Sequence, residues 1–393
     1  MTENYRGKRV AKRTGDSHVV WFQESNRWVE FKEPAWFIYS LIEEKTAESK
    51  IRDLLISRYE LPETEAKRFL QEVIEGIRVS EIPSGNLPPG ETESSEYNSY
   101  IFNRRTTRHY MMNNRHISIT YGSALLEYYI HRPLSHLEAK TGEKGATQFE
   151  LFEIRDDKNK YILRYNKPGA PPAKVYGDPG MLKHKLYTEI TSCIYGVPPE
   201  EWMSFIHASA ITNGKEAILL SSSSGSGKST MAAMLQSAMA IKMGHGQFFM
   251  SDDFVPVDAK EKKVHVFPAA LSVKEGSFSV ISQFYDPVAD ADTGFSQSAN
   301  RRIRYLLPRF QDNIYQPRPV KAIVFLKRDE DISFKMEKLQ VTRALSLFHQ
   351  EAWVSHNPGH AQAFIDWFVT LNCYRLEYSD NIKAIEAISG LFK

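Results

Sequence analysis

The first clear apolar run is Val19-Val20-Trp21-Phe22, which the polar Gln23-Glu24-Ser25-Asn26 separates from Arg27-Trp28-Val29-Glu30-Phe31. Two short β-type runs around a polar turn predict a β-hairpin. Residues 1 to about 18, with Arg6, Lys8, Arg9, Lys12 and Arg13, read as a loose basic tail. Beyond the hairpin the period lengthens. Phe37 with Leu41, and Ile38 with Ile42, lie four residues apart; Ile51, Leu54 and Leu55 follow; and Phe69, Val73 and Ile77 repeat every four residues after Pro62. Residues 1–82 therefore predict a small domain of one hairpin and three helices.

Residues 83–99 are rich in Pro, Gly, Ser and acid without apolar period, and predict a linker. Short strand-like runs then mark a β-rich region over 100–200: Ile117–Tyr121, Phe149–Ile154 and Tyr161–Tyr165. From 201 to 393 apolar strands alternate with helical periods, which predicts an α/β domain. Its strands include Ala217–Leu220, Phe248–Met250 and Val320–Leu326. Leu345, Phe348, Trp353, Phe364, Trp367 and Phe368 read as packing faces near the C-terminus, and His356-Asn357-Pro358-Gly359-His360 reads as a turn.

Composition narrows the class. The 393 residues are 42% hydrophobic and 25% charged, ordinary values for folded domains. The net charge of +2 supplies no global field for nucleic acid or an anionic membrane. Residues 1–82 hold 14 Lys and Arg against 15 Asp and Glu, so no nucleic-acid partner is expected there either. Cys193 and Cys373 are too far apart for a metal-type pair. No apolar run approaches the roughly 18 residues of a membrane span. A cytoplasmic protein without a membrane partner is expected, with homo-oligomer formation left open.

The chemistry-bearing signal is Ala217-Ile218-Leu219-Leu220 running into Ser221-Ser222-Ser223-Ser224-Gly225-Ser226-Gly227-Lys228-Ser229-Thr230. A buried strand, a glycine loop and a helix start are the context of a phosphate-binding P-loop. Gly225 and Gly227 free the backbone to turn N–H groups inward, Lys228 reaches terminal phosphates, and Ser229 offers a hydroxyl to magnesium. Position 222 is serine where the usual pattern has glycine. Upstream, Phe205–Thr212 meets the loop strand through Asn213-Gly214, a two-residue hairpin signal. That register puts His207 opposite Leu220. Downstream, Phe248–Ser251 ends in Asp252-Asp253, so one carboxylate can hold metal while the other takes a proton.

Two resemblances follow from these residues. Trp28-Val29-Glu30-Phe31, Pro34-Ala35, Ile38-Tyr39, Ile51–Tyr59 and Ala66–Ile77 resemble the PqqD-type peptide-recognition domain, a winged-helix module that holds leader peptides. The span from His207 through the loop to Ser251-Asp252-Asp253 resembles the core of HPr kinase/phosphorylase, which shares its nucleotide core with phosphoenolpyruvate carboxykinase. The second resemblance implies that the Asp pair supplies base and metal contact, with His207 in support. Lys274 and Arg304 resemble cations of more distant kinase relatives and are candidates to spread transition-state charge. The Arg-Gly pair that follows the Asp pair in true HPr kinases is missing, so HPr is not the expected acceptor.

The combined expectation is an α/β P-loop kinase core behind a winged-helix-like domain. It would use ATP and Mg2+ to phosphorylate a Ser or Thr hydroxyl of a peptide or protein, with a ribosomally made precursor peptide as partner. Catalysis would fall to Asp252, Asp253, His207, Lys228, Lys274 and Arg304, nucleotide binding to residues 222–230, and metal to Ser229 and Asp252. A kinase of a free small molecule and a nucleotide-gated binding protein are the alternatives.

Overall fold

The computed structural model describes residues 8–82, 100–101, 105–142, 146–154, 157–166, 173–222, 225–285, 292–296, 301–349 and 351–393. The expected 83–99 linker lies outside them. The protein is mixed α/β with several sheets. It divides into two compact units, one of Met1–Leu87 with Leu339–Leu371 and one of Pro88–Lys338 with Asn372–Lys393. A catalytic region unbroken over 201–393 is expected from sequence; instead Leu339–Leu371 belongs with the N-terminal unit.

The first unit opens with a three-stranded antiparallel sheet of β1 (Arg9–Thr14), β2 (Ser17–Phe22) and β3 (Arg27–Lys32), in that order. The expected loose tail is thus a strand from Arg9, paired with β2 from Arg9↔Phe22 to Thr14↔Ser17. One of its charges is withdrawn from solvent: the largely buried Arg9 guanidinium bonds to Glu43 and Glu81. Helices α1 (Ala35–Glu43), α2 (Glu48–Tyr59) and α3 (Glu63–Glu81) follow. Ile38, Ile51, Leu55, Leu70, Val73 and Ile77 pack on the sheet face that bears Val20, Phe22 and Phe31.

The second unit begins with β4 (Tyr100–Ile101), β5 (Thr106–Met112), β6 (Arg115–Tyr121), α4 (Ala124–His131), β7 (Thr147–Ile154), β8 (Asp157–Tyr165) and β9 (Ala173–Gly177). The sheet runs β5-β6-β7-β8-β9, with β4 on β7. Helix α5 (Pro179–Tyr195) is capped by Asp178, which accepts from the N–H groups of Gly180 and Met181. It buries Leu182, Leu186, Ile190 and Ile194.

Then come β10 (Trp202–Ile206), β11 (Ser209–Thr212), β12 (Ala217–Ser221), α6 (Lys228–Gln236), α7 (Ala238–Lys242) and β13 (Phe248–Ser251). Next are β14 (Val255–Asp258), β15 (Lys263–Val264), β16 (Leu271–Lys274), α8 (Phe278–Ile281), β17 (Asp292–Ser296), β18 (Arg301–Leu306), β19 (Arg318–Arg328) and β20 (Phe334–Lys338). The chain then adds α9 (Val341–Phe348), β21 (Ala352–Val354) and α10 (Pro358–Phe368) to the first unit, and returns as β22 (Asn372–Tyr378) and α11 (Asn381–Gly390). The expected turn at 356–360 is the start of α10, with Asn357 as cap and Pro358 at the first helical position.

Strand directions position the site. The order includes β13-β11-β12-β19, with β22 on β19 and β20 on β22. Strands β12, β19 and β22 are mutually parallel, whereas β11 is antiparallel to both β12 and β13. Hence β13 runs with β12, and the carboxyl ends of β12, β13, β19 and β22 open on one edge, where open α/β sheets bind ligands. Strand β16 belongs to a separate sheet, β16-β18-β17. No helix among the described residues is long and apolar enough to cross a membrane.

Candidate functional site

Strand β12, apolar from Ala217 to Leu220, is buried along its length and delivers the glycine loop from the sheet centre. Gly225 (φ +88°) and Gly227 (φ +99°) adopt left-handed backbone that a side chain would strain. Gly227 sits at the N-cap of α6 and has no side chain with which to cap it, so the first N–H groups of the helix are left to the loop or a ligand. Lys228 is buried and its Nζ donates to the Ser222 carbonyl at 2.7 Å. Ser222 is itself buried, its Oγ without a partner. Thr230 Oγ1 donates to Ser277 Oγ at 2.8 Å. Ser223 and Ser224 lie outside the described residues. Helix α6 ends at Gln236, because Ser237 turns extended and caps α7, accepting from the Ala240 N–H.

Asp252 and Asp253 face different surroundings, as adjacent residues leaving a strand should. Asp252 is buried, and its Oδ1 accepts from Ser209 Oγ at 2.5 Å and Ser229 Oγ at 3.0 Å. Its Oδ2 is buried without a partner. Desolvation, reinforced by the charge of Asp253, raises the Asp252 carboxyl against the pull of the Ser209 and Ser229 hydroxyls and of the Ser272 backbone. Asp253 stands in left-handed backbone (φ 61°), uncommon for a non-glycine residue and frequent at functional sites. Its Oδ1 lies 3.2 Å from His207 Nε2. Desolvation would raise this carboxyl too, but the hydrogen bond and charge of His207, with the charges of Lys228 and Lys183, hold it below the ordinary value.

His207 reaches the site by a different route from the expected hairpin register. The β11–β12 loop spans residues 213–216, with Thr212↔Ala217 and Ser209↔Leu220 paired. Local side chains widen the turn: Asn213 Oδ1 accepts from the N–H groups of Lys215 and Glu216, and Thr212 Oγ1 accepts from Gly214 N–H while donating to the Glu216 carbonyl. The expected single strand also breaks at His207-Ala208, since β10 pairs with β14 while β11 pairs with β12 and β13. The histidine sits at that break, beside Asp253. Ser209 takes the place opposite Leu220 and bonds Asp252, a role that strand alternation from a corrected register would have revealed.

A cleft of about 760 Å3 contains the site, within the usual range for ligand pockets. His207, Gly225–Thr230, Asp253 and Lys274 line it. Arg304 does not. Its neighbours Ile303 and Tyr305 face the cleft, and strand alternation turns Arg304 away, its guanidinium 4.3 Å from the Phe278 ring. The cleft also takes in Lys183 of α5, Arg328 at the end of β19 and Tyr378 at the end of β22, none of which has a local sequence signature. Among the described residues no three His, Cys, Asp or Glu side chains converge as a metal site. A cation here would draw most ligands from phosphate and water, as magnesium commonly does. The orphaned Asp252 Oδ2 beside Ser229 fits that donor set. No protein-family model matches the chain, and no match was found among curated proteins.

Proposed function

We propose that the protein is an ATP- and magnesium-dependent P-loop kinase of the HPr kinase type. It transfers the γ-phosphoryl group to a Ser or Thr hydroxyl of a peptide or protein. The observation that carries this reading is the meeting, in one cleft, of the glycine loop, Lys228, Ser229 and the Asp253–His207 pair, with the buried Asp252 bonded to Ser229 behind them. Loop amides and Lys228 hold the phosphates. Ser229 and Asp252 hold magnesium, which when bound neutralises phosphate charge. Asp253, open to the cleft and held by His207, receives the acceptor proton as the new O–P bond forms and the bond to the β-phosphate oxygen breaks. In a loose transition state that proton becomes acidic late, so a carboxylate below its usual range suffices.

The first unit supports a peptide acceptor. Strand β3 ends the sheet order β1-β2-β3, and α3 packs beside it. A strand at a sheet edge beside a helix suits an added peptide strand, as the PqqD resemblance implies for a precursor leader. Tethering by a leader raises the effective concentration of the acceptor without demanding a tight active site.

Intact-mass measurement tests the reading. Protein, Mg-ATP and short precursor peptides, with and without leaders, should give a gain of one phosphate that slows without the leader and vanishes with Asp253→Asn. Nucleotide binding without transfer to any peptide would refute the acceptor class.

A further inference from the structure

Asp252 and Asp253 follow β13, while Arg328 and Tyr378 end β19 and β22. In the order β13-β11-β12-β19-β22 the glycine loop leaves the middle strand. Neighbouring strands are about 4.8 Å apart, so each outer strand lies roughly 10 Å from the loop strand. If the reacting phosphate points to Asp253 and the loop covers the phosphates, the rest of the ligand runs the other way, toward β19 and β22.

That side holds a fixed planar cation. Arg328 NH1 donates to Asn381 Oδ1 and its Nε donates to Glu330 Oε1, each at 2.9 Å. Two bonds on different nitrogens set the guanidinium plane, and the side chain remains about one-third exposed in the cleft. Tyr378 joins this corner to the loop: its ring centroid is 5.9 Å from Arg328 Cζ, and its hydroxyl would lie 3.4 Å from a Cβ built on Gly227. A guanidinium with bonded edges presents its faces for stacking on an aromatic ring.

Resting on the nucleotide reading of this cleft, we propose that the nucleobase docks against Arg328, in the corner that it forms with Tyr378 and Asn381. Stacking reads a π-face rather than a pattern of donors and acceptors, so this contact favours nucleotides over bare polyphosphate and separates ATP from GTP only weakly.

Calorimetry with Mg-ATP, Mg-GTP and magnesium tripolyphosphate decides the matter without any acceptor. Arg328→Ala should weaken both nucleotides about tenfold and leave tripolyphosphate unchanged, and Arg328→Lys, a point charge without a plane, should not restore them. Equal losses for ATP and tripolyphosphate would make Arg328 a phosphate contact and overturn the proposal. Unchanged ATP binding, or a selective loss with Val280→Asp on the α8 wall instead, would place the base elsewhere. Failure of wild-type protein to bind both tripolyphosphate and ATP would remove the nucleotide reading itself, and this subsite with it.

Discussion

Phe364→Ala tests the discontinuous build of the first unit. Phe364 of α10 is fully buried, its ring 5.7 Å from that of Trp28 on β3. Trp28 pairs with Trp21 on β2, which pairs with Val10 on β1, so these three share the sheet face opposite Val20, Phe22 and Phe31. The sheet therefore lies between α1–α3 and α10, and Lys12–Asp366 ties β1 to the same helix. Removing a buried Phe ring costs about 4 kcal/mol from lost burial and the cavity left behind. If the unit opens cooperatively, that is roughly a thousandfold loss of amide protection. Hydrogen exchange followed by mass spectrometry should show it in residues 9–32, more than 300 positions from the substitution, with 217–236 unaffected. Unchanged protection in 9–32 would refute the packing. The same geometry means that deleting residues 1–82 uncovers Phe364, so leader dependence is better tested by shortening the peptide than the protein.

Three further outcomes follow from the site. Asp252→Asn should stabilise the ligand-free protein at pH 8 and abolish magnesium-dependent nucleotide binding. Burial raises this carboxyl to about 7 from 3.8, so folded protein binds the proton more tightly than unfolded chain, and stability is lost as pH rises from about 4 to about 7. That penalty is about 4 kcal/mol at most. The asparagine amide in the place of the orphaned Oδ2 costs about 1–3 kcal/mol at any pH, leaving a gain of about 1–3 kcal/mol at pH 8 and a loss of about 1–3 kcal/mol at pH 4, where the wild-type carboxyl is protonated and carries no penalty, measurable by thermal denaturation at the two pH values. Lys228→Met should weaken Mg-ATP at least thirtyfold in calorimetry, since it removes a charge-assisted phosphate contact from a buried position. Arg304→Ala should leave ATP affinity and turnover within about twofold of wild type, because its guanidinium lies on Phe278 outside the cleft; a hundredfold loss of turnover would restore it to the site.

The parts of the site that lie close in sequence were legible because their chemistry is local. A strand, two glycines, Lys-Ser and an Asp pair at a strand end state their geometry within a few residues. Register was not legible, because Asn213 and Thr212 use their side chains to add two residues to the Asn-Gly turn. The strand at Arg9–Thr14 was hidden by its charges, whose partners Glu43 and Glu81 are distant in sequence. Arg328 and Lys183 enter the cleft only through tertiary structure. One long-range feature did leave a trace: Val19-Val20-Trp21-Phe22 has no polar alternation. A strand that is apolar at successive positions is buried on both faces. A hairpin with helices on one side alone leaves half of that run unexplained, and α10 covers it.

The source of that second layer follows from the β20–β22 pair. These strands are antiparallel, from Phe334↔Tyr378 to Lys338↔Tyr374, so the excursion Leu339–Leu371 is topologically one long hairpin connection in the second unit's sheet. Closing a longer loop costs only about 0.6 kcal/mol per doubling of length, a small charge against the burial of Phe348, Phe364 and Phe368 in the first unit. Neither unit is then complete until the chain has been made past α10. The first lacks one face of its sheet, and the second lacks β22, whose Tyr378 hydroxyl stands beside Gly227. A single covalent excursion thus completes the first unit and the loop-bearing sheet in succession, which accounts for a first unit that sequence order alone splits in two.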